Sequence, residues 1–124
     1  MITRLPESSG NVVGFLVRGQ LTDDDYRTTL IPAIEDVTAS GKKIRILFRM
    51  DQFAGWTAQG AWDDFINWPK FMSVERMAIV VDENWHEFIS WLFSVFAQIT
   101  HIELKFFRKD QLTDAWVWLR APAG

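Results

Sequence analysis

Two periodicities divide this chain. Met1 to Leu5 reads as an edge strand and Val12 to Arg18 as a second strand, and the intervening Pro6-Glu7-Ser8-Ser9-Gly10-Asn11 has turn composition, so the pair predicts an N-terminal β-hairpin. Lys43 to Met50 sets Ile44, Ile46, Phe48 and Met50 against Arg45, Leu47 and Arg49, a strand with one apolar face. Glu75 to Val81 is a further strand. Ile102, Leu104 and Phe106, alternating with Glu103 and Lys105, form the last.

Between the strands, apolar residues recur every three or four positions. Tyr26, Leu30, Ala33, Ile34 and Val37 make the stripe of a helix from about Asp23 to Ser40, opened by a Thr22 cap with Asp25 at its third position and stopped by Gly41. Pro32, inside it, predicts a kink. Thr57 caps a second helix bearing Ala61, Trp62, Phe65 and Ile66, which Pro69 ends near Trp68. Asn84 with Glu87 opens a third, and Asp110 caps a closing helix containing Leu112, Ala115, Trp116 and Leu119. The order β-β-α-β-α-β-α-β-α implies an α/β fold with a largely parallel sheet. Because two strands keep a polar side, the helices are expected mainly on one face.

The third helix, Trp85 to Ile99, is apolar around more of its circumference than one core requires. Trp85, Phe88, Ile89, Leu92, Val95, Phe96 and Ile99 share a face, and Trp91 and Phe93 widen the arc to roughly 200°, against the roughly 100° of an ordinary surface helix. The excess calls for a second partner: a ligand, a lipid surface or another chain.

Composition narrows the choice. Seven tryptophans and ten phenylalanines in 124 residues are far above ordinary usage, while 48% apolar and 23% charged residues are typical of one globular domain spanning 1–124. A net charge of −3 with no Lys/Arg cluster provides no field for a phosphate backbone, so no nucleic-acid partner is expected. The absence of cysteine excludes thiol catalysis, thiolate metal sites and disulfides. Met1 to Glu7 lacks the pattern of a signal peptide, and Phe88 to Ile99 falls short of the roughly 20 residues of a membrane span. A cytoplasmic location, with at most peripheral membrane contact, is expected.

Leu21-Thr22, Asp25-Tyr26, Pro32, Ile34-Glu35, Gly41-Lys42 and Ile44-Arg45, followed by Asp51, Phe53, Gly55 and Ala61-Trp62-Asp63, carry a resemblance. It continues through Glu75-Arg76, Ala78, Val80 to Asp82, Trp85, Ala115 and Trp116 to Leu119. In order and spacing this set resembles the SpoIIAA-like family of STAS/SEC14-type domains. The resemblance implies a layered β-α domain without established enzymatic activity, related in shape to anti-sigma-factor antagonists and to lipid-carrying SEC14-type folds. Phosphorylated STAS antagonists place an Asp-Ser pair after the central strand. Here Met50 to Thr57 contains no serine, so the phosphorylation switch is not matched, and Thr57 is the hydroxyl left in that segment.

The candidate chemistry is sparse. Asp51, Asp82 and Asp110 would converge at the carboxyl ends of the strands, where a hard cation could bind, but turn and cap roles account for all three without a metal. His86 and His101 lack an orienting carboxylate and a nucleophile, and no phosphate loop, nucleophile elbow or paired-carboxylate spacing is present. No catalytic residue, cofactor or metal is therefore assigned. The aromatic residues remain. Phe53, Trp56, Trp62, Phe65, Trp68, Trp85, Phe88, Trp91 and Phe93 are assigned to a ligand site between the second and third helices. They predict a non-enzymatic module that binds an apolar small molecule or lipid, with reversible membrane-surface contact. The alternative is a protein-interaction module, with the same aromatics forming a homodimer or docking a regulatory partner.

Overall fold

The computed structural model describes residues 1–20, 22–39, 41–52, 68–81 and 101–122. The second and third helices expected from the sequence lie outside the described residues. Five strands form one sheet in chain order: β1 (Ile2–Arg4), β2 (Val12–Arg18), β3 (Ile44–Asp51), β4 (Val74–Val81) and β5 (Glu103–Arg108). β1 pairs antiparallel with β2 as the expected hairpin, and the other neighbours are parallel.

The first helical connection begins as the sequence predicts. Thr22 Oγ1 accepts from the Asp25 N–H at 3.2 Å and Asp25 Oδ2 from the Thr22 N–H at 3.0 Å, a reciprocal capping box. α1 (Asp23–Asp25) passes without a break through a π-helical segment, Tyr26–Leu30, into α2 (Ile31–Thr38). Pro32 accounts for the wide turn. It has no N–H to give the preceding turn, and the Ile31 N–H reaches back five residues to the Tyr26 carbonyl. The predicted kink is thus realised as a π-turn. After Thr38 the chain leaves the helix at Gly41, whose φ of +78° favours a residue without a Cβ.

Alternation along the strands makes two cores. Val13, Phe15, Val17, Ile44, Ile46, Phe48, Met77 and Ile79 face the first, under Tyr26, Leu30, Ala33, Ile34 and Val37. Val12, Leu47, Ala78, Val80 and Phe107 face the second, under Ala115, Trp116 and Leu119 of α3 (Leu112–Arg120). The described helices therefore lie on both faces. A helix that follows the last strand belongs to no crossover, so its side of the sheet is not dictated by crossover handedness.

The polar side of β3 that the sequence offers to solvent is covered. Ile44 pairs with Val74 but Arg45 with Arg76, so Glu75 is an extra residue in β4, and the slip sets the two arginines side by side under the end of α3. Arg45 and Arg76 are only 9% and 7% exposed. Arg45 Nη1 donates to the carbonyls of Leu119 (2.6 Å) and Ala121, and its Nε to Glu75 at 2.8 Å. Arg76 Nη1 donates to the carbonyls of Trp118 (2.9 Å) and Ala121 (2.8 Å). Two guanidinium groups thus take up the last carbonyls of α3, where a helix end is electronegative and lacks internal donors.

At the other end of α3 the expected cap is different. Asp110 is exposed and pairs with Arg108 at 3.6 Å, and it is Gln111 whose Oε1 accepts from the Arg108 N–H at 3.0 Å. A 3-10 turn, Lys109–Gln111, precedes α3 and moves Asp110 out of the capping position. Within α3, the Trp116 indole lies against Gly14 of β2. A Cβ on Gly14 would stand 2.4 Å from Trp116 Cη2, so only glycine lets the helix approach this closely.

Candidate functional site

In a parallel sheet the crevice beyond the strand carboxyl ends is the usual ligand position. Here Arg18 and Asp51, the last residues of β2 and β3, are in register. Arg18 donates to Asp51 Oδ2 through Nη2 at 2.8 Å and Nε at 3.0 Å. The Asp51 carboxylate is therefore engaged by a guanidinium. Gln52 follows with φ of +50°, in the left-handed region. The adjoining recess, between Arg49, Asp51, Val81 and Lys109, measures about 50 Å³, space for a water or two. Asp82 lies outside the described residues. Among the described residues no group of three or more His, Asp and Glu side chains could hold a metal ion.

His101, the described histidine, has a structural setting. Its Nε2 is 3.3 Å from the Phe71 carbonyl oxygen and its ring meets the buried Phe71 edge-on, with centroids 5.5 Å apart. This fastens the start of β5 to the 3-10 turn Pro69–Ser73 before β4. No acid-base geometry surrounds it among the described residues.

A larger recess opens where the first helical connection meets Trp68. It measures about 300 Å³, at the lower end of small-molecule pockets, and is lined by Tyr26, Arg27, Ile31 and Trp68. Its position follows from the sequence. Pro32 forces the π-turn that spans Tyr26–Leu30, and Pro69 holds Trp68 before it in extended backbone, φ −68° and ψ 129°. Trp68 is half-buried against the first core, as is Ile31, and Tyr26 is buried. Among the described residues the cation at the rim is Arg27, joined to Asp23 at 3.1 Å across the exposed helix surface. Among the described residues the recess combines apolar walls with the Arg27 guanidinium.

Of the aromatic residues assigned from the sequence, Trp68 is the described one. Phe53, Trp56, Trp62, Phe65, Trp85, Phe88, Trp91 and Phe93 lie outside the described residues, as do Thr57 and His86. Sequence reasoning missed Tyr26 and Ile31 as neighbours of Trp68. The helical stripe places Tyr26 wholly in the core, and the phase shift that a π-turn introduces is invisible to a 100° periodicity. The available signal was Pro32, which marks the turn to be altered.

Among the described residues no helix is long and apolar enough to cross a membrane. No curated protein matches the chain. Among solved structures it is similar to the crystal structure of an uncharacterized DUF3478-family protein with a SpoIIAA-like fold from Shewanella loihica PV-4. The two share 28% identity over 95% of this chain and 93% of the other, with a TM-score of 0.68. The family model described as SpoIIAA-like matches residues 12–120, from the first residue of β2 to the last of α3. With the hairpin, the parallel strands and the closing helix in the expected order, the chain belongs to the SpoIIAA-like family.

Proposed function

We propose that the protein is a non-enzymatic binding module that takes an apolar ligand or lipid tail at its helical face, with reversible contact to a membrane surface. The observation that carries this reading is the recess of about 300 Å³ bounded by Trp68, Ile31 and Tyr26 with Arg27 at its lip. Membership of a family without established catalysis supports the non-enzymatic part, as does the engagement of Asp51 by Arg18. The driving force is removal of aromatic and aliphatic surface from water, about 25 cal/mol per Å² before the costs of association. The remaining aromatics assigned from the sequence, among them Trp91 and Phe93, extend the same site in this proposal.

The test is a titration with a long-chain fatty acid, read by tryptophan fluorescence and by cosedimentation with phosphatidylcholine vesicles, on the parent and on Trp68→Ala. Saturable binding that weakens about tenfold in Trp68→Ala is the expected result, since an aromatic wall contributes on the order of 1.4 kcal/mol or more. No saturable change on either probe would exclude the reading.

A further inference from the structure

On the face of the sheet opposite Trp68, a recess of about 470 Å³ lies between β5 and α3, within the range of small-molecule sites. Lys105 and Phe107 are two residues apart in β5 and share a face, while Asp114, Val117 and Trp118 fall on one side of α3 by their spacing of three and four. The Phe107 and Trp118 rings make a cleft: their centres are 6.0 Å apart and their planes inclined at 51°. Lys105 Nζ stands over it, 5.4 Å from the Phe107 ring centre and 5.8 Å from that of Trp118. Two aromatic rings thus hold one cation. Asp114 lines the same recess, and among the described residues neither it nor Lys105 forms an ion pair. Val117, 65% exposed, adds apolar surface beside them.

We infer that this recess binds a small zwitterion made of a quaternary ammonium and an anion, such as phosphocholine, and that Lys105 stands in for the cationic half. A primary ammonium is compact and strongly hydrated, so its place over two rings forfeits part of its hydration. A quaternary ammonium sheds water readily and presents methyl groups to the ring faces, which is the chemistry that aromatic cages select. It displaces Lys105, whose flexible stem is exposed, and the freed ammonium meets the anionic half of the ligand at the rim. The Asp114 carboxylate balances the cationic half. The Arg76 guanidinium, 5.4 Å from the Trp118 ring centre, does not compete, because the carbonyls of Trp118 and Ala121 hold it. A simple anion would use Lys105 and be opposed by Asp114, and a simple cation the reverse, so a ligand carrying both charges uses the whole recess. The site is separate from the Trp68 recess, and the inference does not rest on the ligand reading.

The test is a titration of the isotopically labelled protein with free phosphocholine to about 20 mM, followed by NMR of its amide and indole N–H groups. Saturable shifts centred on Lys105, Asp114 and Trp118 are expected; no saturable shift, or shifts centred on Trp68 instead, would overturn the inference. Cosedimentation with phosphatidylcholine vesicles that free phosphocholine reverses assigns the ligand to a lipid head group, and binding of free phosphocholine without cosedimentation assigns it to a soluble zwitterion. Phosphoethanolamine keeps the anion but has a primary ammonium, and is expected to bind at least about fivefold more weakly. Equal affinity would overturn the cage. Lys105→Ala, at an exposed position, is expected to bind choline about threefold more tightly, because the competing ammonium is gone, while losing the preference for phosphocholine over choline. An unchanged preference in Lys105→Ala, or weaker choline binding, would overturn the role of Lys105 and with it the inference.

Discussion

Gly14→Ala tests how the second face of the sheet is closed. The added Cβ would lie 2.4 Å from Trp116 Cη2, 2.9 Å from Cζ2 and 3.2 Å from Leu5 Cδ1. Relief requires a displacement of about 1 Å by a buried indole carried on α3, a helix whose far end is fastened by Arg45 and Arg76. Overpacking of this kind costs about 1–3 kcal/mol. Gly14 has an ordinary extended φ, so alanine meets no backbone penalty there and stiffens the unfolded chain, returning about 0.4–1 kcal/mol. The net expectation is a loss of about 1–2 kcal/mol, which at an m-value of ~1.5 kcal/mol/M lowers the urea midpoint by about 1 M.

The decisive comparison is the same substitution in a Trp116→Phe background. The smaller ring withdraws the clashing atoms and also removes Trp116 Nε1, a buried donor with no hydrogen-bond partner among the described residues. There Gly14→Ala is expected to be neutral or slightly stabilising, so the double-mutant cycle shows a coupling of about 1–2 kcal/mol. Equal losses in the two backgrounds, by urea unfolding followed with circular dichroism, would refute the account of Gly14 as the seat of Trp116.

Three further outcomes follow from the geometry. Arg45→Ala leaves the Leu119 carbonyl and the Glu75 carboxylate without this donor and the Ala121 carbonyl with Arg76 alone, for an expected loss of about 2–4 kcal/mol by urea unfolding. Arg45→Lys should recover less than half, because one ammonium cannot span three acceptors in a fork. Asp25 titrates below its ordinary value of 3.8: partial burial works to raise it, but the Thr22 N–H and hydroxyl and the nearby Met1 amino group outweigh that effect. Its folded value is depressed, so the stability it adds is present above the unfolded value and is lost as pH falls through the folded one. Asp25→Asn should therefore lower stability at pH 6, with the gap to the parent narrowing as the pH falls below the unfolded value of 3.8; a constant gap across that range would contradict the assignment. Trp68→Ala should weaken fatty-acid binding without lowering Tm by more than a few degrees, since the side chain is only half-buried; unchanged affinity in a thermal-shift titration would remove Trp68 from the site.

Much of the sheet was legible because strand signals are local: Val12 to Arg18, an apolar run after a turn, coincides with β2 at both ends, and the alternating Lys43 to Met50 differs from β3 by one residue at each end. The Thr22 and Asp25 cap and the Gly41 stop were likewise written within a few residues of sequence. What was not legible depended on distant partners. Arg45 reads as a solvated position until α3 brings its carbonyls over the sheet, and Arg76 joins it only through the slip at Glu75. Asp110 has the composition of a cap, yet the 3-10 turn before α3 leaves it paired with Arg108. At the candidate site, aromatic excess pointed to Trp68, but its neighbours Tyr26 and Ile31 come from a π-turn that no simple helical period contains. The other assigned aromatics remain expectations of the sequence.

The most direct test of the ligand reading is native mass spectrometry of the protein as purified, followed by denaturation and solvent extraction of anything that travelled with it. A fatty acid or phospholipid bound in a fixed ratio, and released in parallel from Trp68→Ala, is the predicted result. Protein that is free of lipid and remains so after incubation with excess fatty acid would contradict it.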